Sequence, residues 1–380
     1  PIGIAQILII ILGVVVIVEN NGVIKFDKKI AYLMLYILLV TMLNRFDMDS
    51  LKGMVLFFIE FIVFYFYLCT YKSYEKFFVI IYKAALVLAI IGIIQEIGFV
   101  LGINALTNMT IYGFPRENVY ETGFFLARVS ALYSEPASMC GILSAAFFVG
   151  LLSGKKIGVT KFNFCLICIF IVLSQSVVIY LSCVIILIVY FLFSDINKNH
   201  KILVMAAAGI FVVVLLLGDF EFMRAIQLKL STLGTASSEN SKDLSAFALI
   251  SNIRIAVAKN MDGHIFGTGF NSHRLYYENY VTQFYNSIYL RLNYNDAGSM
   301  YTRVLSEFGI VGFIIFMVIL IKNFFSTVKL KNNSLIVCII VPMIAFIRNG
   351  NYNNSLCIAL LVLALIISKS REIKVSLKDK

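Results

Sequence analysis

Long apolar runs dominate this chain and leave it few folds to choose from. They recur from end to end at about 15 to 25 residues, close to the helical length that spans a bilayer. A backbone in hydrocarbon must satisfy its own N–H and C=O groups, so only helices and closed barrels are open to it. Barrel strands alternate apolar and polar residues over about ten positions, and these runs do not. The sequence therefore predicts an all-α polytopic membrane protein with about eleven to twelve transmembrane helices. Composition agrees: 14% of residues are charged, against roughly 25% in soluble domains, and the mean hydropathy is +0.91. The expected spans are 2–18, 30–43, 51–69, 77–101, 138–152, 162–174, 176–194, 201–218, 303–322, 334–347 and 354–368, with a turn at Ser174-Gln175-Ser176.

The formal charge of +11 is not gathered into a nucleic-acid-binding patch. Lys25, Lys28, Lys29, Lys72, Lys76, Lys155, Lys156, Lys161, Lys198, Lys201, Lys322, Lys329, Lys331 and the tail 369–380 all fall on alternate loops. The positive-inside rule makes that set cytoplasmic. The N terminus and two polar stretches, 102–137 and 219–300, are then expected outside. This divides the chain into an N-terminal bundle (1–218), one large outer loop carrying short amphipathic helices (219–300), and C-terminal helices with a basic tail (301–380). The seven cysteines lie in or beside apolar runs, which reads as packing, the Cys165-x-x-Cys168 spacing included. Glu60 and Lys83, on consecutive spans at similar depth, are expected to form an ion pair.

Chemistry that needs water-facing polar groups collects in the two outer stretches. Eight arginines are at or near that face: Arg116, Arg128, Arg224, Arg254, Arg274, Arg291, Arg303 and Arg348. The cytoplasmic loops use lysine instead. Arginine presents a planar fork that binds phosphate oxygens in pairs, so a phosphate-bearing ligand at headgroup depth is expected, with snorkelling to lipid phosphates accounting for some of the set. Pro136 suits the first turn of a helix, with Ser134 or Glu135 as its cap. Arg254 lies in an amphipathic piece expected at the membrane surface, and Gly267-Thr-Gly269 thirteen residues on reads as a tight turn. The run Tyr276, Tyr277, Tyr280, Tyr285, Tyr289 and Tyr294 fits sugar stacking or an interfacial belt. Glu307 enters the ninth span, where Arg303 one turn back is its expected partner, and Gly309 and Gly312 favour close helix contact.

Three of these pieces, in this order, resemble the O-antigen polymerase and ligase superfamily, including Wzy-type polymerases. They are Arg128-Val-Ser-Ala-Leu-Tyr-Ser-Glu-Pro136, Arg254 with Gly267-x-Gly269, and Leu305-Ser-Glu-Phe-Gly-Ile-Val-Gly312. The layout of spans around one dominant outer loop extends the resemblance over the whole chain. Ligases of this group carry a His-Asn pair shortly before the last motif, where this chain has Gly298-Ser299. That departure favours a polymerase. The resemblance implies a bacterial inner (plasma) membrane enzyme of O-antigen, lipopolysaccharide or capsule synthesis, with its active site facing the periplasm or outside. Undecaprenyl-diphosphate-linked oligosaccharide is then both donor and acceptor. Arg128 and Arg254, with Arg274 and Arg348 next, would meet the charge on the departing diphosphate. Glu135, Asp296 or His273 would be the general base, and Tyr276, Tyr277 and Tyr280 would hold the glycan. No metal and no cofactor are expected, and the partners are membrane lipids and a chain-length regulator, not nucleic acid. The alternatives are a ligase to lipid A core and a lipid-linked oligosaccharide flippase or transporter.

Overall fold

The computed structural model describes residues 4–19, 28–44, 47–71, 74–112, 119–120, 126–133, 135–152, 159–193, 209, 244–284, 291–329, 333–352 and 354–367. Along the chain run α1 (Ile4–Glu19), α2 (Lys28–Asn44), α3 (Met48–Tyr71), α4 (Tyr74–Val100) and the short α5 (Asn104–Thr107). After these come β1 (Val119–Tyr120), β2 (Arg128–Val129), α6 (Cys140–Leu152), α7 (Lys161–Leu173) and α8 (Val177–Phe193). Beyond them are α9 (Leu244–Met261), α10 (His273–Phe284), α11 (Met300–Lys329), α12 (Asn333–Ala345) and α13 (Ser355–Ile367). Each expected span has a helix at its place except 201–218, which apart from residue 209 lies outside the described residues, as do Arg116, Arg224, Ser134, Tyr285 and Tyr289. Three helices, Met48–Tyr71, Lys76–Val100 and Met300–Val328, are long and apolar enough to cross a membrane, and shorter apolar helices accompany them. The protein is α-helical and suited to a membrane.

Two compact units divide the chain. The first comprises the described residues of Pro1–Lys72, Lys229–Phe325 and Phe346–Lys369. Within it α3 packs against α1, α2 and α13, and α9 packs against α10. Residues 273, 277, 280 and 281 share one face of α10 at helical spacing, and that face closes on α9 through Phe247, Ile255, Tyr277, Tyr280 and Val281. Glu60 is buried on α3, where its carboxylate accepts from the Ser355 hydroxyl rather than relying on a lysine.

The second unit comprises the described residues of Ser73–Leu228, Ser326–Ala345 and Ser370–Lys380. Here α4 packs on α6 and α7, while α12 packs on α6 and α8. Lys83 is exposed on α4. A hydrogen bond between the Ser144 and Ser182 hydroxyls ties α6 to α8, a polar fastening suited to helices whose apolar faces are much like the lipid around them. The turn at 174–176 separates α7 from α8, with Gln175 at φ 46°. The polar stretch between α4 and α6 is not purely helical: β1 and β2 pair antiparallel, Tyr120 opposite Arg128.

Candidate functional site

In the first unit, α11 is broken. Gly309, at φ 65° and ψ −174°, ends one helix at Phe308 and starts another at Ile310. A break strands carbonyls before it and N–H groups after it, and stranded groups away from water need partners. Asn260, in the last turn of α9, supplies two. Its Nδ2 donates to the Leu305 carbonyl at 3.0 Å, and its Oδ1 accepts from the Ile310 N–H at 2.8 Å. The Glu307 carbonyl accepts from the Thr268 and Gly269 N–H groups, both at 2.9 Å, and the Val311 N–H donates to the Ile265 carbonyl at 3.2 Å. The Tyr36 hydroxyl donates to the Phe308 carbonyl at 3.1 Å. Gly309 and Gly267 (φ 85°) make this contact possible, since a Cβ on Gly309 would strike the Ile265 carbonyl and one on Gly267 the Glu307 carbonyl. The Gly267-x-Gly269 turn thus lies with its backbone against the start of α11. Gly309 serves that loop rather than a neighbouring helix, while Gly312 faces Tyr36.

Beside the break sits a closed polar network. Arg303 Nε donates to Glu307 Oε1 at 3.0 Å, the expected pair, and the carboxylate is fully buried. Its Oε2 accepts from the Tyr352 hydroxyl at 2.8 Å and from the Asn271 N–H at 2.9 Å. The rest of the guanidinium donates to the Gly350 carbonyl at 2.7 Å and to Asn271 Oδ1, and its plane lies 4.1 Å from the Tyr352 ring. Burial raises the Tyr352 phenol well above its ordinary value, so its proton stays available to Glu307. His273, one of the three candidate bases, is fully enclosed. Nδ1 bonds Ser306 Oγ at 2.8 Å and Nε2 bonds Asn252 Oδ1 at 2.7 Å. Burial, with the charges of Lys259 and Arg303, holds its imidazole down at about 3, so it is neutral at pH 7.

The other candidates in this unit lie on α9, on α10 and in the turns before α11 and after α12. Arg254 is exposed on α9, on the side that also shows Ile253, Val257 and Met261. Arg274 is half-buried and meets the exposed Asp49 at 3.4 Å. Asp296 is half-buried in the turn before α11 and accepts from the Gly298 N–H at 3.0 Å. Arg348 is half-buried in the turn that also carries Gly350 and Tyr352. Tyr277 and Tyr280 are buried against α9, not displayed to a glycan, because helical spacing turns them inward. Tyr276 is half-buried and lies 4.2 Å over Lys259 Nζ.

The second unit holds Arg128 and Glu135. Strand β2 needs partners for its backbone among apolar helices, and side chains from two elements provide them. Gln95 clasps Ala131 twice, Nε2 to its carbonyl and Oε1 from its N–H, both at 2.9 Å. Glu96 Oε1 accepts from the Ala127 N–H at 3.0 Å, and Gln175 Nε2 donates to the Ala127 carbonyl at 3.1 Å. Arg128 is fixed between these clamps, half-buried. Pro136 opens a 3-10 turn, Pro136–Met139, that leads into α6. Glu135 occupies its N-cap position, yet its side chain makes no capping bond and is half-buried.

The chain matches no sequence model of a known family and no characterised protein. In the second unit amide side chains clamp the short segment that carries Arg128, and in the first an amide clamps the break in α11. Asn260, Gln95 and Gln175 do this clamping; the sequence singled out Gln175 only as part of a turn, and Asn260 and Gln95 not at all. Their only signal was an amide inside or at the end of an apolar run, where an unpaired polar group is costly.

Proposed function

We propose that the chain is a membrane glycosyltransferase that polymerises polyprenyl-diphosphate-linked oligosaccharide repeat units at the outer leaflet. The observation that carries this reading is the docking of the Gly267-x-Gly269 loop onto the broken start of α11. The motifs behind the family resemblance in the large loop meet there: α9 with Arg254 ends in Asn260, which grips the break. The exposed Ile253, Val257 and Met261 beside Arg254 suit a helix resting on the membrane surface, where its guanidinium meets phosphate at headgroup depth. In this reading the loops 102–137 and 219–300 face the periplasm or outside of an inner (plasma) membrane.

Arg128, Arg254, Arg274 and Arg348 are assigned to the diphosphate, whose departure requires its developing charge to be met. The general base that deprotonates the acceptor hydroxyl is Glu135 or Asp296. His273 is unsuited to that role, with both ring nitrogens engaged and the ring neutral. Glu307 is unsuited too, since its lone pairs are taken by Arg303, Tyr352 and Asn271. Transporters also use broken helices, but they aim the freed backbone groups at substrate. Here the groups freed at Gly309 bond to Asn260, Tyr36 and the 265–269 loop.

The test uses purified protein with a lipid-diphosphate-linked repeat unit, comparing wild type with Arg128→Ala and Arg254→Ala. A product ladder from wild type is expected, lost in both folded variants. Transfer only to an added lipid A core acceptor would make the protein a ligase. No product at all from folded protein with authentic substrate would refute the transferase reading.

A further inference from the structure

Lys259 is the group that the polar network leaves over. It lies in the last turn of α9 with no surface exposed, and its Nζ has no hydrogen-bond partner among the described residues. A buried ammonium without a partner is destabilising, and every neighbouring charge is already committed. From α11, Arg303 and Glu307 neutralise each other. From α10, His273 is neutral with both nitrogens bonded, and the Tyr280 hydroxyl is engaged with Asp262. When protonated, Lys259 therefore has no ion-pair partner of its own among the described residues.

A ring stands over that ammonium. Tyr276 covers Nζ at 4.2 Å, and His264 packs edge-on to Tyr276 at 5.6 Å. Tyr276 and His264 are both half-buried, so the cover over the ammonium is thin. A lysine is a compact point charge, unlike the paired donors of arginine, so it matches one charged oxygen pair carrying a single negative charge. A diphosphate would bring excess charge next to Glu307. Aromatic rings also pack well on the C–H faces of sugars.

We propose that Lys259 and Tyr276 form a subsite for a sugar bearing a carboxylate, in which the Tyr276 ring swings aside to stack on the sugar and the carboxylate takes its place on Nζ. This rests on the glycan reading above and adds that the repeat unit contains an acidic sugar. Burial lowers the Lys259 pKa to about 7, and a carboxylate on Nζ would raise it again by favouring the ammonium.

The experiment measures binding, not turnover, on the full chain in detergent micelles. The probes are a disaccharide containing glucuronate and its neutral glucose counterpart. Wild type is expected to bind the acidic probe about tenfold more tightly. Lys259→Met is expected to abolish that preference while raising the unfolding temperature, because the unpaired charge is gone. Tyr276→Ala is expected to weaken both probes. Equal binding of the two probes by wild type would overturn the proposal, as would an acid preference that survives in Lys259→Met. A fall in unfolding temperature for Lys259→Met would assign the ammonium to holding the fold and also overturn it. Inorganic phosphate is expected to leave the preference intact, and displacement of the acidic probe by phosphate would reassign the site. A wild type that keeps the acid preference but makes no polymer ladder would sink the polymerase reading alone.

Discussion

Two titratable residues of the first unit are held away from their ordinary protonation, and both make stability depend on pH in the same direction. Burial lowers Lys259 from 10.5 to about 7, and burial with nearby cations lowers His273 from 6.5 to about 3. In each window the unfolded chain binds more protons than the folded one, so stability rises with pH. Thermal unfolding in detergent is expected to show stability lost as pH falls from about 10 to 7, on the order of a few kcal/mol for Lys259. A second loss is expected below pH 6.5. Lys259→Met should remove the first phase and leave the second. The Arg303–Glu307 pair behaves differently, because removing one partner strands a buried charge. Glu307→Leu or Arg303→Met alone is expected to destabilise by about 3–5 kcal/mol, with the double variant recovering much of that loss in denaturant titration. Additive losses would show that the pair is not coupled.

Among the elements, the decisive feature is a helix interrupted where its partners are ready. Gly309→Ala sets a side chain at φ 65° against the Ile265 carbonyl, so it must push the 265–269 loop off α11. Asn260→Ala leaves the Leu305 carbonyl and Ile310 N–H without their amide and is expected to cost about 1–3 kcal/mol. Both variants should expose the loop to limited proteolysis near Phe266. An unchanged digestion pattern in Gly309→Ala would mean that the docked loop does not depend on the break. In the second unit, Gln95→Leu removes both bonds to Ala131 and should loosen the strand that carries Arg128. The shared logic is that an amide side chain, with one donor group and one acceptor, imitates a strand or a turn for a backbone that has neither.

At the scale of the whole chain, the loop charges make a prediction about sidedness. Asp262→Cys, at the exposed end of the α9–α10 region, should react with a membrane-impermeant thiol reagent added to intact cells. Lys161→Cys, at the start of α7 on the lysine-rich side, should react only after the membrane is opened. The reverse pattern would invert the topology and move the arginines to the cytoplasm. The native cysteines are the background for this assay: Cys140, Cys183, Cys338 and Cys357 are buried, and Cys165 is exposed on α7.

The described membrane helices are legible in the apolar runs, because an apolar run of this length in lipid must satisfy its backbone within itself. The sequence also determined the turn at Gln175 and the pairing of Arg303 with Glu307, since one local spacing decides each. What those residues serve depends on contacts between distant parts of the chain. The enclosure of His273 depends on Asn252 and Ser306, which lie 21 and 33 residues away. The inward turn of Tyr277 and Tyr280 depends on α9 lying across α10. The break at Gly309 depends on Asn260, 50 residues from the N–H that it accepts. A pattern of apolar positions records which groups must avoid water. It does not record which distant side chain will supply the hydrogen bond, and that supply shapes each of the clamped segments.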